Sequence, residues 1–234
     1  MGIVYPGIPK PIVSELISHF KIDTFIETGT YKGGTAYWAS QLFPKVITVE
    51  NSEGLWQETK ARYAAQTNME CLYGDSRKIL ASLVEQIHTP SLFWLDAHWC
   101  YGITYGKEDE CALAGELAEI NRIDADTFIL IDDARLFLFP PPLPHQHNYY
   151  PTISEVMKLL DQKPRYTLIM DDAIISIPAS AKPVMVDYFQ SISTAHWNEY
   201  LAKTAPKVTF LGKTKKRMTH NINTLKKKIR QGIK

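Results

Sequence analysis

Five acidic residues, Glu27, Glu50, Asp75, Asp96 and Asp132, each stand at or near the end of a short apolar run, and His98 and Asp133 lie within two residues of the last two. Carboxylates placed this way can bind a cation, accept hydrogen bonds from sugar hydroxyls, hold a divalent ion or remove a proton. Clustered carboxylates repel one another unless protonated or bound to a cation, and a site made only of oxygen ligands favours Mg²⁺ or Ca²⁺. Histidine, with an ordinary pKa near 6.5, is suited to general base catalysis at neutral pH. His98 is therefore the first candidate for a base, ahead of His145 and His147 in a downstream proline-rich stretch.

The segment from Thr24 to Thr35, Thr-Phe-Ile-Glu-Thr-Gly-Thr-Tyr-Lys-Gly-Gly-Thr, is where a ligand is expected. Its β-rich start meets Gly29, then Gly33 and Gly34, and Ala36, Ala39 and Leu42 follow at helical spacing. Strand, glycine turn and helix offer exposed N–H groups, and glycine lets a ligand approach the main chain. The spacing Glu27-x-Gly29-x-x-x-Gly33 differs from the Gly-x-Gly-x-x-Gly of dinucleotide sites, and its acid would repel a pyrophosphate. A cationic ligand suits it better. Glu50 follows Glu27 at the spacing of an acid that accepts ribose hydroxyls at the tip of a second strand; the alternative is that it caps the helix beginning near Ser52.

The elements that position these residues alternate. An amphipathic helix over residues 11–20 precedes the first strand, and strands at 24–26, 45–50, 69–73, 91–95 and 127–131 are separated by helical patterns. That alternation predicts an α/β fold with a parallel sheet covered on both faces, whose ligand lies beyond the carboxyl ends of the strands. The stretch from Phe139 to Pro151 is too rich in proline for a helix and reads as a loop; Thr152 to Glu155 forms a capping box. Residues 166–170 and 173–177 flank Asp171-Asp172 as an antiparallel hairpin.

With 234 residues, 45% of them apolar, the chain can bury a full core as one domain. No apolar run approaches the roughly 20 residues needed to span a bilayer, and no signal-peptide pattern opens the chain, so it reads as cytoplasmic. Cys71, Cys100 and Cys111 lack metal-finger spacing and read as reduced thiols. The net charge of +1 conceals an asymmetry: 11 Lys and Arg and no acid lie from Lys203 to Lys234, leaving 15 basic against 25 acidic residues elsewhere. We therefore expect a folded domain over residues 1–202 and a basic tail over 203–234. Ile222, Leu225, Ile229 and Ile233 recur in that tail at helical intervals, a pattern suited to an anionic surface, a partner protein, nucleic acid or a neighbouring subunit of a homo-oligomer.

Residues 22–178 resemble, motif by motif, the class I S-adenosylmethionine-dependent methyltransferases. The carriers are the acid and glycines of the first turn, the acid after each strand and the terminal hairpin. The resemblance implies a doubly wound, mostly parallel seven-stranded Rossmann-like sheet closed by an antiparallel hairpin. It also implies S-adenosylmethionine as cofactor, with Glu27, Gly29, Thr30 and Gly33 around the methionine portion, Glu50 at the ribose, and Asp75 and Ser76 on the adenine side; Asp75 could equally cap the following helix. The acids after the fourth and fifth strands look like those of metal-dependent O-methyltransferases of the catechol and macrolide-sugar type. That likeness implies a divalent metal on Asp96, Asp132 and Asp133, with His98 and Asp96 as catalytic residues and a hydroxylated small molecule or glycan as acceptor. Asp132-Asp133 departs from the Asp-Asn of the catechol enzymes. The acids could instead pair with Arg135 and Arg122. Trp99, Tyr101, Tyr105, Tyr149 and Tyr150 either line an acceptor pocket or anchor loops. Competing readings are a nicotinamide-dependent oxidoreductase, which Glu27 and the hairpin disfavour, and a non-catalytic binding protein that uses its tail.

Overall fold

The computed structural model describes residues 7–99, 106 and 109–204. Cys100, Tyr101, Tyr105 and the tail beyond Thr204 lie outside the described residues. The chain divides into two compact units, Met1–Met185 and Val186–Lys234, so the expected boundary after residue 202 falls inside the second.

In the first unit, strands β1 (Thr24–Thr28), β2 (Lys45–Glu50), β3 (Met69–Tyr73), β4 (Ser91–Leu95) and β5 (Thr127–Ile131) run parallel. A hairpin of β6 (Arg165–Met170) and β7 (Ala173–Pro178) joins antiparallel to β5, giving the order β3-β2-β1-β4-β5-β7-β6. The order reverses beside β1, where chain crossovers leave to opposite faces and a crevice opens.

The connecting helices are α1 (Lys10–His19), α2 (Gly34–Ser40), α3 (Glu53–Arg62), α4 (Ser76–Leu83), α5 (Leu113–Ile120), α6 (Arg135–Leu138) and α7 (Ile153–Leu160). Strands β1, β4 and β5 are buried on both faces because helices cover both. On one face Ile26, Phe93, Leu95, Ile129 and Ile131 share a core with Leu80 of α4, Leu117 and Ile120 of α5, and Val156 and Leu160 of α7. Alternate residues bury on the other face, where Phe25 meets the Phe43 ring at 5.2 Å and Phe128 meets Phe20 at 5.2 Å.

The capping box at Thr152 and Glu155 is present and starts α7. Asp171 and Asp172, with φ of 51° and 62°, make the left-handed turn that the twist of a two-residue hairpin requires. Arg165 fastens that hairpin to β5 through hydrogen bonds to Thr127 and Ser176. A last helix, α8 (Lys182–Thr204), supplies the described part of the second unit.

Candidate active site

The exits of β1 and β4 meet at Gly29. Its φ is 83°, and a Cβ there would lie 2.4 Å from the Asp96 carbonyl oxygen. Gly33, the residue before α2, has φ 73°, and a Cβ on it would press on Thr59 at 2.5 Å and on the Tyr63 ring at 2.8 Å. Both glycines are demanded by left-handed backbone and by protein atoms already filling the space. The expected role, room for a ligand, describes Gly34 better, since nothing stands within 4 Å of its Cβ position.

Glu27 lies beneath this turn and is 2% exposed. The Thr48 hydroxyl on β2 donates to its Oε2 at 2.6 Å, and the Thr30 hydroxyl stands 2.6 Å from that of Thr48. The register that sets Glu27 beside Thr48 and Trp94 holds it between two strands. Burial pushes its carboxyl up to about 8, with Asp96 and Glu50 adding to the shift and Thr48 opposing it. Glu50, at the end of β2, accepts the Tyr31 N–H at 2.8 Å and the Ser52 N–H at 2.7 Å. It thus ties the glycine turn to the start of α3, and carboxylate lone pairs beyond these two bonds can still accept from a ligand.

Asp75 caps α4, accepting the Arg77 N–H at 3.0 Å, and pairs with the Arg77 guanidinium at 2.9 Å, which holds its carboxyl below the usual range. Arg77 also reaches Asp109 at 2.6 Å, joining the start of α4 to the segment after β4. Ser76 is buried beside Asp75. Nearby on α5, Glu116 is 1% exposed, with the Ser76 and Thr28 hydroxyls as its polar neighbours opposing the effect of burial. Burial pushes Glu116 up to about 7.

Asp96, His98, Asp132 and Asp133 do come together, as their strand-end positions imply. The His98 imidazole lies between two acids, Nε2 at 2.9 Å from Asp133 and Nδ1 at 3.4 Å from Asp96. Asp133, at φ 54°, also meets Arg135 at 2.6 Å, and Arg135 continues to Asp172 in the β6–β7 turn. The Asp133 N–H donates to the Asp132 carboxylate at 2.8 Å. Burial raises the Asp96 carboxyl, opposed by His98 and reinforced by Asp132 and Asp133. Burial raises Asp132 as well, with Asp133 adding to it. For Asp133 burial acts upward too, but His98 and Arg135 outweigh it and hold the group below its usual range.

This arrangement gives the expected metal site no support. The His98 imidazole and the Arg135 guanidinium already contact Asp133, and the Asp132 carboxylate accepts the Asp133 N–H. Among the described residues no group of three or more His, Cys, Asp or Glu side chains is arranged to hold a metal ion. Asp96, Asp132 and Asp133 therefore do not fit a ready-made divalent centre. Arg135 is one of the two arginines expected as alternative partners; Arg122 instead pairs with Glu85 and Glu119.

Trp99 and Tyr150 are buried and pack edge-on against His145 with ring centroids 5.5 and 5.6 Å apart. His145 bonds to the buried Glu110 at 3.0 Å. These aromatic groups anchor the proline loop to the segment after β4. His147 is exposed in a short turn. Glu110, Glu116 and Asp172 carried no strand-end signal in the sequence, and only the fold brings them here.

No protein-family model matches the sequence, and no curated protein matches it. Solved structures do match. A provisionally named caffeoyl-CoA O-methyltransferase from Staphylococcus aureus is 14% identical, with a TM-score of 0.50 over 74% of this chain and 86% of that one. The fold is that of the class I methyltransferases. The S-adenosylhomocysteine-bound methyltransferase PaMTH1 of Podospora anserina is 18% identical, with a TM-score of 0.47 over 74% of this chain and 89% of that one. In this methyltransferase fold the acids of β1, β2, β4 and β5 share one edge of the sheet.

Two predictions follow from the turn. Gly29→Ala should lower stability by at least about 1–3 kcal/mol, the usual cost of overpacking, because left-handed backbone and the Asp96 carbonyl both oppose a methyl group. Urea unfolding checks this, and an unchanged midpoint would show that β1 and β4 can separate. The second concerns pH. The unfolded chain releases the Glu27 proton near 4.5 and the folded state near 8, so folding takes up a proton between these values. Stability should therefore fall as pH rises from about 5 to 8. In Glu27→Gln, which stays neutral, melting temperature should fall less steeply; equal slopes would mean that Glu27 is already ionised.

Proposed function

We propose that this chain transfers a methyl group from S-adenosylmethionine to a hydroxyl of a small molecule or glycan. The observation that carries the reading is the pair Glu27 and Glu50 on adjacent strand tips, one beneath the glycine turn and one bonded to it. The donor set fits a ligand cationic at one end and carrying a ribose at the other. Glu27, Thr30 and the turn backbone from Gly29 to Gly33 would face the methionine portion, Glu50 the ribose, and Asp75 and Ser76 the adenine side. A cation beside Glu27 favours its ionised form, so binding the ligand offsets the burial that keeps the free site protonated.

When bound, S-adenosylmethionine supplies an electrophilic methyl group on a sulfonium. The chain must then orient a hydroxyl toward it and take the hydroxyl proton. Asp96 is the better base. Its side chain is 29% exposed against 9% for His98, and its raised proton affinity suits a base working near neutrality. His98, held by Asp133 and ultimately by Arg135, positions Asp96 from behind, as the third member of a triad orients a base. No step passes through a divalent ion.

Titration calorimetry should detect S-adenosylmethionine and not NAD, and Glu50→Ala should weaken binding by about 1.5–3 kcal/mol, the range for hydrogen bonds to charged groups. No binding at millimolar cofactor overturns the reading. Hydroxylated small molecules and glycans can then be screened for release of S-adenosylhomocysteine. With an acceptor so found, Asp96→Asn should keep cofactor binding and lose about 10²–10⁴-fold in turnover. Turnover should persist in excess EDTA; loss that Mg²⁺ restores would mean that a cation displaces His98 and Arg135 from the acids.

A further inference from the structure

The second unit carries an exposed surface to which the proposed methyl transfer assigns no role. Every residue of α8 from Ser193 to Thr204, about 18 Å of helix, is exposed, and none of them is in the core of the described residues. A helix of this length is marginal in water without an apolar face to bury. It has such a face: Trp197, Tyr200 and Leu201, spaced as neighbours on one side, are 60, 56 and 45% exposed, and the two rings stack at 5.5 Å. Three large apolar side chains in one exposed stripe mark a contact surface rather than scattered surface residues.

Charge decides the occupant. From Tyr188 to the end of the chain the only acid is Glu199, already paired with Lys203 at 2.6 Å, against 11 Lys and Arg. The partner must therefore be anionic. A nucleic acid would satisfy the charge but offers no burial for Leu201, nor for Ile222, Leu225, Ile229 and Ile233, interleaved with the basic residues further on. A bilayer with anionic headgroups satisfies both. Trp and Tyr favour the headgroup boundary, aliphatic side chains enter the acyl region beneath it, and Lys and Arg meet the lipid phosphates. No helix among the described residues is long and apolar enough to cross a membrane, so the contact lies along its surface.

We infer that the exposed Trp197, Tyr200 and Leu201 stripe of α8, together with the basic residues that follow it, docks the protein on an anionic lipid surface.

The test is flotation of the full-length protein with vesicles of mixed phosphatidylglycerol and phosphatidylcholine, with phosphatidylcholine alone, and with a homopolymeric RNA as competitor. The wild type should float with the anionic vesicles, stay behind with the neutral ones and be released as salt rises. The triple variant Trp197→Ser, Tyr200→Ser, Leu201→Ser should bind anionic vesicles at least about tenfold more weakly, through lost apolar burial, with an unchanged melting temperature because all three sites are exposed. Absence of flotation at low salt, or equal flotation of the variant, overturns the inference. So does RNA that strips the protein from the vesicles at low concentration, which assigns the charge to nucleic acid. A wild-type dimer that the variant converts to monomer in sedimentation velocity assigns the stripe to a second copy and also overturns it. None of these readouts depends on S-adenosylmethionine.

Discussion

The approach of Gly29 to the Asp96 carbonyl fixes the geometry of the site. A Cβ would stand 2.4 Å from that oxygen, so the exits of β1 and β4 touch with no side chain between them. Backbone bonds continue the sheet past its strand ends on either side: Asp96 N–H to Thr28, Asp132 N–H to Leu95 and Gly29 N–H to Val49. Four adjacent strands thus stop on one line. At about 4.8 Å between neighbours, the tips of β2 and β5 stand about 14 Å apart, the scale of a nucleoside with a short chain and an acceptor beyond it.

Along that line the acids occupy nearly equivalent positions and behave differently, because each meets a different partner. Glu27 has one hydroxyl and is otherwise buried, so it keeps its proton until about pH 8. Glu50 receives two backbone N–H groups that fix its orientation. Asp75 is matched by Arg77, and Asp133 by His98 and Arg135. Asp96 is the acid at the β4 tip whose neighbours leave its proton affinity raised. One residue type repeated at strand ends therefore yields a buried carboxyl with a raised proton affinity, a tie between two backbone segments, a helix cap and an ion-paired carboxylate.

The fold was legible because its signals are local. Apolar runs of five or six residues, helical spacing between them, a capping box at Thr152 and a two-residue turn at Asp171-Asp172 each declare an element within a few positions. The strand-end acids were legible for the same reason. Their partners were not. Arg135 reaches Asp172 across 37 positions, and His145 reaches Glu110 across 35. Glu116 looks like an ordinary acid in an amphipathic helix, yet α5 turns it into the core. The glycines were legible as a turn, but the atoms that exclude a Cβ there come from the exit of β4 and from Thr59 and Tyr63, remote in sequence.

The same remoteness separates a metal site from the one found here. Three carboxylates on neighbouring tips repel, and a divalent ion or a set of protein cations can relieve that repulsion. Here Arg135, four residues past β5, reaches Asp133 beside it and Asp172 before β7, and His98, three residues past β4, reaches Asp133 beyond β5. A divalent ion would lower the proton affinity of every carboxylate it touched, which suits a Lewis acid and works against a carboxylate base. His98 and Arg135 hold Asp133 below its usual range, while burial, only partly opposed by His98, leaves Asp96 with a raised affinity for a proton. The proposed base at the tip of β4 thus has a raised proton affinity, which a divalent ion on the same acids would lower.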